Sequence, residues 1–373
     1  MTAPSTSLSA HEQKVVDGVP TGLLIGGTWR PATGGGTIAV EDPATGLEIA
    51  RVADAQPEDA VAALDAAAKG QATLAALSPK ERSQILHKAS ELITEHTEEL
   101  ALLMTLELGK PLAESRGEVA YGASFFWWFA GEAVRFKGES RQSADGAGRT
   151  LVTRQPVGPS LFITPWNFPL AMGARKLAPA IAAGCTSIVK PAKLTPLTML
   201  KLGELLIEAG LPEGALSILT AGSARSITEP LLTDPRLKKL SFTGSTEVGK
   251  KLVETSAPNL LRLSMELGGN APLLVFDDAD LDVAVEGAFQ AKMRNGGEAC
   301  TSANRILVQS GIAEAFTEKF VAKMAAVKVG RGTEEGVGLG SMVDQDQLDK
   351  ISELVDDAKA KGATVATGGE RVG

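Results

Sequence analysis

Between residues 160 and 249 the chain repeats one arrangement: a short apolar strand, a loop, then a helix-forming run. The strands read as 160–164, 187–190, 216–219 and 239–243, and the helical runs as 175–183, 197–209 and 227–232. A further helix is opened by Gly244-Ser245-Thr246-Glu247-Val248-Gly249. Three strand–loop–helix units in about 90 residues specify an α/β fold built on a mostly parallel sheet, with ligands at its carboxyl edge.

The flanking segments are read around that sheet. Residues 1–17, with Ser, Ala and acidic residues, are expected to form a loose arm. Residues 23–50 read as strand, turn and strand, 57–70 as a helix, 79–108 as a helical stretch, and 121–136 as another carrying the cluster Phe125 to Phe129. The polar, glycine-containing segment 139–149 reads as a hairpin turn or a crossing between lobes. A second α/β unit is expected to begin near Ser264, with strands 271–276 and 305–308 and helices 280–293, 312–327 and 346–360. The closing run Ala363-Thr364-Val365-Ala366-Thr367-Gly368-Gly369 looks like the middle of a fold rather than its capped end.

Composition narrows the function classes. A chain of 373 residues, 44% hydrophobic, has material for two cores. Its net charge of −8 and lack of a dense Lys/Arg cluster argue against nucleic acid as a partner. No apolar run reaches membrane-spanning length, and no cationic start leads into an apolar stretch, so neither a membrane partner nor a signal peptide is expected. Two cysteines make no disulfide framework, which fits a reducing cytoplasm. His11, His87 and His96 are dispersed, so no metal site is expected.

Cys185 sits in an apolar context that suits a small buried side chain, whereas Cys300 follows the polar, glycine-broken run Arg294-Asn295-Gly296-Gly297-Glu298-Ala299. Cys300 alone reads either as an inert thiol or as a nucleophile. Partners for the second reading are present. Pro165-Trp166-Asn167-Phe168-Pro169 fixes a loop directly after a strand, and the Asn167 amide can stabilise a developing oxyanion. Glu266, in Met265-Glu266-Leu267-Gly268-Gly269-Asn270, reads as a general base or as a helix-end partner. Lys190 ends a strand before a proline, with Lys193 three positions later, and either cation suits ribose hydroxyls or phosphate. Gly244 and Ser245 lie where a strand hands over to a helix N-terminus, a place that favours phosphate but also an ordinary turn. Together these residues suit thiolate attack on an aldehyde, hydride departure to a nicotinamide, and release of the thioester by base-activated water. A cysteine protease would want a histidine partner, which the dispersed histidines do not offer.

The motifs 163–169, 190–193, 242–249, 265–270 and 294–305 closely resemble the aldehyde dehydrogenase superfamily, specifically its NADP-dependent succinate-semialdehyde dehydrogenases, and the likeness covers residues 23–373. The resemblance implies a Rossmann-type cofactor-binding domain over 18–136 and 150–263, a bridging, oligomerising hairpin over 137–149, and an incomplete catalytic domain over 264–373. It implies Cys300 as nucleophile, Glu266 as water-activating base, and Asn167 with the Cys300 N–H as oxyanion hole. Ile163, Thr164, Trp166, Lys190, Lys193, Gly222, Gly244, Ser245 and Leu267 would bind the cofactor. Arg175 and Arg294 would grip the substrate's distal carboxylate, since a guanidinium pairs with a carboxylate through two hydrogen bonds.

Lys193 stands where NAD-preferring relatives carry a glutamate; a lysine attracts a 2′-phosphate that a carboxylate would repel, so the expected cofactor is NADP. A homodimer or homotetramer in the cytoplasm, acting in GABA degradation, completes the expectation. Three departures stand out: Thr228 in place of a common glycine, no second thiol beside Cys300, and no Glu-x-x-Phe-Gly-Pro segment before the chain stops. The rival readings are an enzyme for another acidic semialdehyde, such as glutarate semialdehyde, and a silent NADP-binding or structural fragment.

Overall fold

A computed structural model describes residues 7–372. The chain begins with α1 (Ala10–Asp17), the hairpins β1 (Leu23–Ile25)–β2 (Thr28–Arg30) and β3 (Thr37–Asp42)–β4 (Leu47–Ala53), and the helices α2 (Pro57–Ala76), α3 (Pro79–Glu95), α4 (Thr97–Leu108) and α5 (Leu112–Ala133). A projecting hairpin, β5 (Glu139–Gln142) with β6 (Arg149–Val152), leads into the alternating region. That region holds β7 (Ser160–Ile163), α6 (Ala171–Ala183), β8 (Ser187–Lys190), α7 (Leu197–Glu208), β9 (Leu216–Ile218), α8 (Ala224–Thr233), β10 (Lys239–Gly244), α9 (Thr246–Ser256) and β11 (Arg262–Leu267). The last elements are β12 (Ala271–Val275), α10 (Leu281–Met293), β13 (Ala303–Val308), α11 (Ala313–Ala325) and α12 (Gln345–Ala360).

The main sheet has seven strands in the order β11-β10-β7-β8-β9-β1-β2. The pairings from β11 to β9 are parallel, and the β1–β2 hairpin closes the far edge antiparallel. Side chains alternate between two cores, as a period of two dictates. Phe162, Val189 and Ile218 pack with α6 and α7 on one face, while Leu161, Ile163, Ile188 and Phe242 pack with α2, α8 and α9 on the other. Both faces of β7, β8 and β9 are therefore buried, so these strands bury every residue instead of alternating with solvent.

Five readings of the sequence need correction. The expected loose arm is, over Ala10–Asp17, a capped helix: Ser9 accepts the Glu12 N–H, Glu12 accepts the Ser9 N–H, and Val15 and Val16 are buried; residues 1–6 of that arm lie outside the described residues. The stretch 79–108 is two helices that meet at His96. From Leu100 onward α4 is buried all round, so it lacks the polar face that would have set it apart. The helix expected at 121 starts at Leu112, directly after Pro111. The boundary at 263/264 cuts through β11, which pairs with β10 from Arg262 to Leu267; the change of sheet falls instead at Gly268–Asn270. The hairpin also runs past 149, because Glu139 pairs with Val152.

The second unit is thinner. β12 and β13 form a parallel pair backed by α10 and α11 around Val275, Val285, Ala288 and Phe316, while Leu274 and Leu307 are more than half exposed, at 59% and 55%. Its later loop returns to the first unit. Arg331 bridges Glu12 at 3.0 Å and Asp42 at 2.9 Å, and the Leu112 N–H donates to the Gly332 carbonyl at 3.0 Å. A Cβ at Gly340 would collide with the Gly109 carbonyl, so the Gly109–Lys110 corner is sealed by backbone. Among the described residues no helix is long and apolar enough to cross a membrane. Gly340→Ala should cost about 1–3 kcal/mol through this overpacking, measured as a lowered denaturant midpoint; an unchanged midpoint would show that the loop can lift away.

Candidate active site

The carboxyl ends of the parallel strands collect the first group of sequence-predicted residues. Ile163 lies level with Lys190 on one side and Phe242 on the other, and the Thr164 N–H donates to the Lys190 carbonyl at 3.2 Å. Gly244 ends β10 beside Leu267 of β11, and Thr243 stands opposite Glu266. Ser245 caps α9 by accepting the Val248 N–H at 3.3 Å, so the hydroxyl that marks this turn also starts the helix. Trp166, in the loop after β7, accepts from Thr195 Oγ1 at 3.3 Å. Gly222 lies further along the same edge, and its N–H donates to Asp54 at 2.8 Å. Thr228 is buried within α8 with its hydroxyl donating to the Ala224 carbonyl, so it faces its own helix.

Lys190 is the informative cation here. It is buried, and among the described residues no carboxylate pairs with its ammonium. Burial, with Lys193 adding repulsion, pushes its pKa down to about 8. Lys193 is exposed in the loop that follows. A buried cation without a carboxylate partner at a strand's carboxyl end suits an oxygen-rich ligand group, such as a hydroxyl or phosphate.

The second group forms where the loop after β7 meets the cysteine loop. Asn167 Nδ2 donates to the Glu298 carbonyl at 2.6 Å, and Asn295 Nδ2 donates to the Asn167 carbonyl at 2.8 Å. Phe168, Ala171, Met172 and Ala299 make a small apolar cluster beneath these bonds. Cys300, next in the chain, has an exposed thiol, while Cys185 is buried at 4% exposure, as its apolar context indicated. Arg294 lies 5.7 Å from the ring centres of both Phe168 and Tyr121, and Arg175 lies 5.8 Å from that of Phe125. Among the described residues neither guanidinium has a carboxylate partner. Two arginines held on aromatic rings without a carboxylate partner can pair with an anionic group.

Glu266 is less tightly joined. It lies in a strand, which removes the helix-end reading, and is exposed without a hydrogen bond or ion pair among the described residues. Its field is felt by Lys176 on α6, whose ammonium donates to Ser241 Oγ at 2.8 Å. Burial, then the nearby Arg175, push the Lys176 pKa down to about 8, and Glu266 partly opposes this.

Sequence reading missed the buried polar residues behind these loops. Lys110 pairs with Glu118 and donates to Asn295 Oδ1 at 3.1 Å, while the other Glu118 oxygen accepts the Leu170 and Ala171 N–H groups at 2.8 and 2.9 Å. The one available signal was Lys110 between Gly109 and Pro111, a charge at a break in an apolar run. Glu298 lies inside the run 294–300 with no local signal of its own. Burial pushes its pKa up to about 7 against the opposing pull of Lys110.

The chain matches the aldehyde dehydrogenase family over residues 29–373. It is 55% identical over 324 residues to a succinate-semialdehyde dehydrogenase from Paenarthrobacter nicotinovorans, covering 87% of this chain and 72% of that protein. It is 48% identical to a glutarate-semialdehyde dehydrogenase from Pseudomonas putida, covering 93% and 72%. Among solved structures, an NADP-dependent enzyme from E. coli superposes with a TM-score of 0.93 at 44% identity, over 98% of this chain and 74% of that one. A betaine aldehyde dehydrogenase from Staphylococcus aureus in complex with NAD+ gives 0.94 at 31% identity, over 98% and 73%.

The raised pKa of Glu298 carries a sign for stability. The unfolded carboxyl titrates near 4.5 and the folded one near 7, so in that window the unfolded chain holds fewer protons and stability falls as pH rises. Glu298→Gln should melt with the parent near about pH 4 and a few degrees above it near about pH 8. Melting curves across that range check this, and a pH-independent difference would contradict it.

Proposed function

The chain belongs to the aldehyde dehydrogenase family, and from that premise we propose that it oxidises succinate semialdehyde to succinate with NADP. The observation that carries the substrate choice is the pair Arg175 and Arg294, both on aromatic rings and both without a carboxylate partner among the described residues. A carboxylate at the far end of a short aldehyde would satisfy them. An aldehyde lacking it would leave both charges unpaired.

The reaction follows from the side chains. Cys300 attacks the aldehyde carbon as thiolate, and the new oxyanion is held by the second hydrogen of Asn167 Nδ2 and by the Cys300 N–H. The Nδ2 hydrogen is available because the Glu298 carbonyl takes only one of the two. NADP, when bound, supplies the hydride acceptor. Lys190, Gly244, Ser245 and Trp166 would hold it at the sheet edge, with Ile163, Thr164, Gly222 and Leu267 lining its course. Glu266 then takes a proton from the water that attacks the Cys300 thioester, which releases the acid and restores the thiolate.

The preference for NADP rests on exposed Lys193, whose charge attracts a 2′-phosphate. We assign 18–136 and 153–267 to cofactor binding and the residues from 271 onward to the catalytic unit. The hairpin 139–152, with Leu151 74% exposed, would join subunits into a homodimer or homotetramer. A cytoplasmic setting suits the exposed nucleophilic thiol. The glutarate-semialdehyde relative supports a second reading, a longer acid at the same arginines.

Arg294→Ala should lower kcat/KM for succinate semialdehyde about 10- to 100-fold and leave that for butanal within about twofold of the parent. Equal losses on both aldehydes would remove the carboxylate role, and a higher kcat/KM for glutarate semialdehyde would favour the second reading. For the cofactor, kcat/KM with NADP should exceed that with NAD, and Lys193→Glu should reverse the order; a parent that uses NAD as well as NADP would overturn the preference.

A further inference from the structure

Behind the cysteine loop a continuous run of hydrogen bonds reaches into the helical layer. Glu118 on α5 accepts the Leu170 and Ala171 N–H groups through one carboxylate oxygen and pairs with Lys110 through the other. Lys110 donates to Asn295 Oδ1, Asn295 Nδ2 donates to the Asn167 carbonyl, and Asn167 Nδ2 donates to the Glu298 carbonyl. We propose that the buried Lys110–Glu118 pair, acting through Asn295, is a positioning device that sets where the Asn167 amide meets the reacting carbonyl. This rests on the proposed oxyanion role of Asn167.

The polarity of the run admits one arrangement. An ammonium only donates, so Oδ1 of Asn295 must face Lys110; the Asn167 carbonyl only accepts, so Nδ2 must face it. The Asn295 amide is thereby held against flipping. Its backbone is held too: Asn295 is 1% exposed with φ 54° and ψ 43°, in the left-handed region that Asn tolerates better than most residues. Gly296 and Gly297 continue with positive φ. Glycines there leave the loop free to move, and the side chain of Asn295 ties it down. Asn167 is consequently bonded to the cysteine loop at two points, through its own carbonyl and through its amide.

A buried ion pair is a poor source of stability, since apolar residues of similar size usually do as well. The pair makes better sense as geometry. Both ends of the carboxylate are used, one on the first turn of the helix that follows Asn167 and one on the lysine that orients Asn295. The loop with Cys300 and the loop with Asn167 are thus referred to a single carboxylate.

The test uses the full chain and p-nitrophenyl acetate, an activated ester that needs the nucleophile and the oxyanion hole but no hydride acceptor. Asn295→Asp keeps the size, the tolerance for positive φ and an acceptor for Lys110, but removes the donor to Asn167. It should slow acylation of Cys300 about 10- to 100-fold, with KM for the ester and the melting temperature close to the parent's. Asn295→Gly, which also accepts the backbone, should behave alike if the aspartate variant folds poorly. Asn167→Ala should lose about 10²–10³-fold, and in that background Asn295→Asp should add less than about twofold. Unchanged acylation in a folded Asn295 variant, or losses that multiply in the double variant, would overturn the positioning role while leaving Asn167 in place. Unchanged acylation in Asn167→Ala would instead overturn the oxyanion reading on which it rests.

Discussion

The carboxylate of Glu118 is the contact on which the site depends. It is nearly fully buried, yet it fills its acceptor positions with the first N–H groups of α6 and with the Lys110 ammonium. Helix starts leave N–H groups unpaired, and a buried start must be answered by something. Glu107 does the same for α7, accepting the Leu197 and Thr198 N–H groups from full burial that pushes its pKa up to about 7. Two glutamates on neighbouring helices therefore seat the two helices that follow β7 and β8. The loops between those strands and helices carry Trp166, Asn167 and Lys193, and Lys190 ends β8.

These buried contacts tie the polar loops to the helices behind them. The Asn167 loop lies between a strand end held by parallel pairing and a helix start held by Glu118. The cysteine loop has no such strand on both sides, and three successive residues with positive φ cross it. Its position comes from side-chain bonds to Asn167 and Lys110, and from the apolar contact of Ala299 with Phe168. The seal over Lys110 by Gly332 and Gly340 is part of the same arrangement, since water at that corner would compete for every bond in the run.

Much of the site was legible because its residues carry local signals. A strand followed by Pro-Trp-Asn-Phe-Pro, a lysine at a strand end before proline, and a glycine–serine turn opening a helix each announce their place. Glu266 was less legible. Its strand β11 alternates partly exposed and exposed residues and sits at the sheet edge, so it lacks the adjacent apolar pairs at the centres of β7 and β8. The same weakness placed the domain boundary inside that strand. Lys110 and Glu118 were not legible as a pair: they fall between the helical stretches read at 79–108 and 121–136, and nothing local shows that both are buried.

By itself, the order of apolar runs, glycines and prolines determined the parallel sheet and its carboxyl edge, because those depend on spacing within a few residues. Only the tertiary structure decided which charges are buried and whom they face. Asn295 meets Lys110 across 185 positions and Asn167 across 128, and no local pattern encodes a partner at that distance. The thiol of Cys300 could be named from its neighbours in sequence. The contacts that hold its loop against Asn167 come from the packing of α5, α6 and the returning loop onto one buried ion pair.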